Sequence, residues 1–213
     1  MTTTSIKNLN LLKIYDKESQ ETYFGGDQEW YSKKWQRLSG CGPTAATNIF
    51  YYLSHSKDIL KSAEQLNTKE GWISLMEKMW GYVTPSVRGV HTTKMFFEPM
   101  VNFAKAQGRN LEYYVYEVPE DPSQRPQFQE ILKFIEKGLS KDVPVAFLNL
   151  NNGKVKNLDR WHWVTIISLE YIEEGQSAFL TILDYGRVKK IDLALWYNST
   201  TLGGGFVYFL EKY

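Results

Sequence analysis

The sequence predicts an α+β protein, with helices gathered in the first two-thirds of the chain and an antiparallel sheet in the last third. Three observations carry this. Apolar residues recur at helical spacing in 44–53, 71–83 and 127–141. Four strand-like segments then follow closely, at 143–150, 162–172, 178–185 and 205–212. Strands and helices do not alternate along the chain as a parallel α/β sheet would need.

Residues 1–20 read as an N-terminal arm with one apolar patch, "LNLLKIY", and 23–31 as a turn-rich segment. Ala45, Ala46, Ile49, Phe50 and Leu53 form the apolar stripe of a helix from Thr44 to about Leu53. Pro43 is tolerated before it because a first-turn residue has no helical N–H bond to lose. "GWISLMEKMWGYV" is a second amphipathic helix, ended near Gly81. Thr92 or Thr93 caps a third, which runs to about Gln107 and stops at Gly108, and Pro99 inside it predicts a kink or an interruption. "LEYYVYEV" (111–118) is a strand. Phe128, Ile131, Leu132, Ile135 and Leu139 share one face of the helix over 127–141. "EEGQ" between the second and third of the late strands is a hairpin signal. No linker divides the chain, so residues 1–213 are expected to form one domain.

Composition narrows the class. Hydrophobic residues are 43% and charged residues 23%, as in a globular domain. Aromatic residues reach 15%, which suits a tightly packed interior and an aromatic-lined groove. The net charge is +1, and no basic run is interleaved with aromatics, so a nucleic-acid partner is not expected. One cysteine cannot form an internal disulfide, and no apolar stretch is long enough for a signal peptide or a membrane span. A soluble, cytoplasmic protein without a membrane partner is the expectation.

Three residues stand out for chemistry. Cys41, the single cysteine, lies in "SGCGPTAATNIFYYL" where a buried helix begins. Unpaired N–H groups and the helix dipole favour a thiolate there. Gly40 and Gly42 are expected to let the backbone bend sharply and to leave room for a substrate. His162 opens a strand in "RWHWVTIISLE", where its ring can face a cleft from a rigid support. Of the other two histidines, His55 and His91, each reads as a surface or capping residue. Asp184 ends the strand in "TILDYGR". In an antiparallel hairpin the start of one strand lies beside the end of the next, so His162 and Asp184 should be neighbours. A carboxylate beside an imidazole fixes its tautomer and stabilises the imidazolium. A lone cysteine is more often a small buried hydrophobe, a lone histidine a satisfied half-buried one, and an Asp before Tyr-Gly a turn residue. It is the combination, in this order and on these elements, that points to a thiolate–imidazolium site.

With these segments the chain resembles the papain-like cysteine peptidases, and among them the bacterial C39-like, bacteriocin-processing-like peptidases. That resemblance covers the chain from about Tyr23 to the end. It implies Cys41 as nucleophile, His162 as general base and acid, and Asp184 as the orienting residue. It also implies an upstream glutamine that forms the oxyanion hole with the Cys41 N–H. Two candidates exist. Gln36, in "KWQRLSGC", has nearly the usual short spacing; Gln28, in "GGDQEW", is more distant but follows a Gly-Gly turn that can aim it back, and it is preferred because the longer "GGxQxW…GCGP" arrangement resembles one seen in relatives. Trp161, Trp163 and Tyr185 flank these positions and are candidates to line the substrate cleft or to pack the core. The implied partner is a peptide or protein substrate, and the implied chemistry uses no metal or cofactor. Two other readings share the scaffold: acyl transfer, as in transglutaminase-like or N-acetyltransferase-like proteins, and a binding module without turnover.

Overall fold

The computed structural model describes residues 1–56, 68–172 and 177–212. The expected hairpin turn "EEGQ", residues 173–176, lies outside them. Around that segment the two strands pair as anticipated: β6 (His162–Tyr171) runs antiparallel to β7 (Ala178–Asp184).

At the centre is the helix that carries the cysteine. Two helices meet there, α1 (Lys34–Ser39) and α2 (Cys41–His55), with Gly40 between them. Every residue of α2 from Cys41 to Leu53 is buried. A helix with no solvent face must satisfy its polar side chains internally. Thr47 donates to the Pro43 carbonyl at 2.8 Å, and Asn48 Nδ2 donates to Thr165 Oγ1 of β6 at 3.2 Å.

Gly40 and Gly42 do not create a sharp bend. Gly40 sits in the right-handed helical region, at φ −81° and ψ −3°, and Gly42 lies within α2. Space is the constraint instead. A Cβ on Gly40 would come within 2.5 Å of the Gln36 carbonyl oxygen and 2.6 Å of the Tyr31 ring, and one on Gly42 within 2.7 Å of Val90.

The remaining helices pack around α2 and the sheet. Helix α3 (Lys69–Trp80) is N-capped by Thr68, whose hydroxyl accepts from the Gly71 N–H at 3.2 Å, and it ends at Gly81. Helix α4 (Lys94–Ala106) passes through Pro99 without interruption, because Phe96, Met100, Phe103 and Ala104 bury one face across it. Thr92 Oγ1 accepts from the Met95 N–H at its start, while Thr93 turns away and donates to Glu117. Helix α5 (Phe128–Ser140) buries Ile131, Leu132, Ile135 and Leu139 against the sheet.

That sheet is antiparallel throughout, in the order β4-β9-β5-β6-β7-β8, built from β4 (Leu111–Val118), β9 (Gly204–Glu211), β5 (Val145–Asn149), β6, β7 and β8 (Arg187–Asp192). A seventh strand, β1 (Thr2–Ser5), pairs with β6 at Ser168–Tyr171, where β5 no longer reaches. The N-terminal arm is therefore partly built into the sheet. Leu12 and Ile14 are also fully buried, the latter in a two-stranded ribbon of β2 (Lys13–Tyr15) and β3 (Thr22–Phe24). Two further elements have no clear sequence signal. The outer strand β8 is rich in Lys and Arg, a composition that guards a sheet edge, and α6 (Leu193–Ser199) is a short helix N-capped by Asp192.

Replacing Gly40 by Ala forces a Cβ onto backbone that has no room to yield. The expected outcome is a loss of about 1–3 kcal/mol in denaturant unfolding, since overpacking at a rigid junction carries that cost.

Candidate active site

The first residue of α2, the first of β6 and the last of β7 converge. His162 Nε2 lies 2.7 Å from Asp184 Oδ1, with both side chains buried. That contact occupies one ring nitrogen and leaves Nδ1 available, with Cys41 close enough to act electrostatically on the ring. The Cys41 Sγ is 4.0 Å from the Trp161 carbonyl oxygen.

Burial opposes charge on all three groups, and the partners outweigh it. Desolvation pushes the Cys41 thiol up; the His162 hydrogen bond and charge, with backbone groups of Trp163 and Gly42, bring it below its ordinary value. Desolvation pushes His162 down, but Asp184 and Cys41 raise it above 6.5. For Asp184, burial likewise raises the carboxyl, and His162 together with Lys189 holds it below 3.8. These directions favour a thiolate facing an imidazolium.

Lys189 has no counterpart in the sequence reading. Its Nζ is 2.7 Å from Asp184 Oδ2, so one carboxylate serves two cations. The signal was in the turn. Asp184 pairs with Arg187 across the two-residue loop Tyr185–Gly186, whose φ values are 50° and 65°. Such a loop is a tight hairpin, and it fixes Lys189 opposite Ile182, diagonal to Asp184 on the same face. Asp184 is thus both a pre-turn residue and a partner of His162.

The residues flanking the pair hold unusual backbone. Trp161, immediately before His162, has φ 52°, and Tyr185, immediately after Asp184, has φ 50°. Left-handed conformations at non-glycine residues cost free energy and persist only where surroundings enforce them. At Tyr185 the enforcement is visible. Its ring stacks on His162 with centroids 5.3 Å apart, and its hydroxyl donates to Asp159 at 3.1 Å. The two tryptophans beside His162 part company. Trp161 is half exposed, whereas Trp163 is only 2% exposed, stacked on Phe96 and donating to the Val90 carbonyl. Trp163 packs the core beneath the site.

The two glutamines also separate. Gln28 lines a small buried cavity together with Cys41, His162 and Asp184. It is placed there by the Gly25–Gly26 turn, which docks on α2: the Gly26 N–H donates to Asn48 Oδ1 at 2.8 Å, and Gly25 has φ 72° with Asn48 packed against it. One Gln28 amide hydrogen goes to the Arg37 carbonyl at 2.7 Å. Gln36 points elsewhere, donating to Glu77 Oε2 at 2.7 Å, and does not line this cavity. His55 and His91 are remote from it, held by the Tyr51 carbonyl and the Ser86 turn respectively. Among the described residues no three His, Cys, Asp or Glu side chains are grouped to hold a metal ion, and no helix is long and apolar enough to cross a membrane.

The fold is similar to that of a solved protein. The crystal structure of UfSP from C. elegans, a cysteine protease of papain-like fold, superposes with a TM-score of 0.53 at 9% sequence identity. The superposition covers 99% of this chain and 34% of that one, so the chain spans about a third of the UfSP chain's length. The sequence matches no protein-family model and no curated protein.

Two measurements check the electrostatics. Iodoacetamide should alkylate Cys41 below the ordinary thiol range, with His162→Ala moving the onset up past that range, because imidazolium support is lost while burial remains. Replacing Lys189 by Met removes a cation beside His162 and gives it sole use of Asp184. The imidazolium should then persist to higher pH in an NMR titration of the ring, and Lys189→Arg should restore the parent curve.

Proposed function

We propose that this chain is a cysteine peptidase, or more broadly an amide hydrolase, working through an acyl-enzyme. The observation that carries the reading is the buried His162–Asp184 hydrogen bond of 2.7 Å, in a cavity that Cys41, at the start of α2, also lines. The papain-like fold supports it. The narrower likeness to C39-like peptidases rests on the residues around Cys41, His162 and Asp184 alone.

In this mechanism the Cys41 thiolate attacks the scissile carbonyl carbon. The oxyanion receives hydrogen bonds from the Cys41 N–H and from the Gln28 amide. An amide NH₂ has two donors, and Gln28 commits one to Arg37, so the second is free for this task. The His162 imidazolium protonates the leaving amine. The neutral ring then takes a proton from water as that water attacks the thioester, and collapse of the second tetrahedral species returns the thiolate. Asp184 holds the ring in the orientation that presents Nδ1 to the sulfur.

Because the acid limb follows the lowered Cys41 and the alkaline limb the raised His162, hydrolysis should follow a broad bell. Cys41→Ala should abolish turnover of a fluorogenic peptide library. Gln28→Ala should lower kcat by about 10²–10³-fold, as loss of an oxyanion donor does, while Gln36→Ala leaves kcat within about twofold. Equal losses from the two glutamine variants would remove Gln28 from the mechanism. Hydroxylamine added to the same assay separates hydrolysis from acyl transfer. A transferase would release hydroxamate rapidly and free acid slowly.

A further inference from the structure

A groove of about 590 Å³ opens beside Cys41, lined by Trp35, Leu38, Ser39, Cys41, Trp161 and the turn at Val87, Arg88 and Gly89. Its walls are large apolar side chains held in solvent: Trp35 is 47% exposed, Leu38 69%, Val87 92% and Trp161 49%. Single exposed apolar residues are ordinary, but four around one opening form a patch of the kind that marks a binding surface. None is there by slack. Trp35 and Leu38 are three residues apart on α1 and share a face. Val87 and Arg88 form the tip of a turn closed by reciprocal hydrogen bonds between Ser86 and Gly89, at 3.1 and 2.9 Å, with Gly89 at φ 75°. Turn tips are usually polar, so a rigid turn that projects valine presents an apolar contact.

The groove also has a direction. Its lining includes Cys41 but not His162, whereas the separate small cavity that shares Cys41 includes Gln28, His162 and Asp184. A leaving amine must lie against the His162 ring to be protonated. The part of the substrate that stays on the sulfur therefore lies away from that ring, on the groove side. Arg88 is the one charged residue lining the groove, and its guanidinium has no ion pair among the described residues.

Resting on the peptidase reading, we infer that this groove is the acyl-side recognition site, and that it selects a peptide with a bulky apolar side chain directly on the acyl side of the scissile bond. Trp35 and Leu38 flank that side chain from one wall, Val87 and Trp161 from the other. Arg88 favours an acidic residue further along the peptide and disfavours a basic one.

The test uses acetyl-dipeptidyl chloromethyl ketones ending in Leu or in Gly, with Asp or Lys preceding. Each alkylation rate of the whole chain is divided by the iodoacetamide rate of the same variant, and glutathione supplies the free-thiol reference. The expected result is a Leu-over-Gly preference at least about tenfold beyond glutathione, as burial of a leucine side chain provides. That preference should fall to the glutathione value in Leu38→Glu and Val87→Glu, both surface substitutions. The Asp-over-Lys preference should reverse in Arg88→Glu. A Leu-over-Gly ratio equal to that of glutathione, or one unmoved by the wall substitutions, overturns the proposal. The peptidase reading fails separately, through slow iodoacetamide alkylation of the parent chain in mild acid, so the two failures are distinguishable.

Discussion

A helix without an exposed face is the constraint on which the rest of the molecule depends. Residues 41–53 of α2 are all buried, so the chain must surround them with sheet on one side and helices and the N-terminal ribbon elsewhere. Such a helix cannot shift along its axis without opening cavities, and core voids cost several kcal/mol. Its first residue is therefore placed as firmly as any in the fold. Asn48 extends that control outward. It joins α2 to Thr165 of β6, which begins three residues earlier at His162, and to the Gly26 N–H, two residues before Gln28. One buried amide thus relates the strand bearing His162 and the turn bearing Gln28 to the helix bearing Cys41.

Electrostatics then does what packing alone cannot. Three ionisable groups are buried together, and each alone would be driven neutral by desolvation. Together the shifts run towards charge, because His162 neighbours Asp184 and Cys41, and Asp184 lies between His162 and Lys189. Lys189 is the member that reaches solvent. It balances Asp184 from the outer strand β8, so the inner pair is not left as one buried carboxylate answering to one imidazolium. The two left-handed residues, Trp161 and Tyr185, sit where the chain must turn directly into or out of this cluster. Strain is retained there because the neighbouring contacts over-determine the backbone.

The surface around Cys41 divides by function in the same way. On one side lie the polar groups that would handle charge and protons. On the other lie Trp35, Leu38, Val87 and Trp161, which have no buried partner to satisfy and no polar atom to spare beyond the indole N–H. Only Cys41 lines both. A substrate that spans them meets recognition and chemistry at one shared residue.

Much of this was written locally. Helices over 69–80 and 128–140 follow from periodicity, the helix over 94–106 from its capping and stop residues, and the strands β4 to β7 and β9 from aromatic and β-branched composition. That His162 lies near Asp184 also follows from the sequence, since a hairpin sets the start of one strand beside the end of the next; the irregularity between Ile166 and Ser168, which brings both to one face, has no such signal. Other features have no local signature. β1 is a polar tetrapeptide made a strand only by the unpaired edge of β6. β8 carries charged residues where a strand signal would be, because an edge strand is solvated. The spacing GCGP suggested bending, but what excludes side chains at Gly40 and Gly42 is the Gln36 carbonyl, the Tyr31 ring and Val90, atoms brought there by folding. Gln28 and Gln36 are chemically identical, and only their tertiary partners, Arg37 and Glu77, send one towards Cys41 and the other away. Residue type and period determined which groups could do chemistry and which segments could carry them. Which groups meet, and which remain charged, was decided by long-range packing, because burial and distance exist only once the chain is folded.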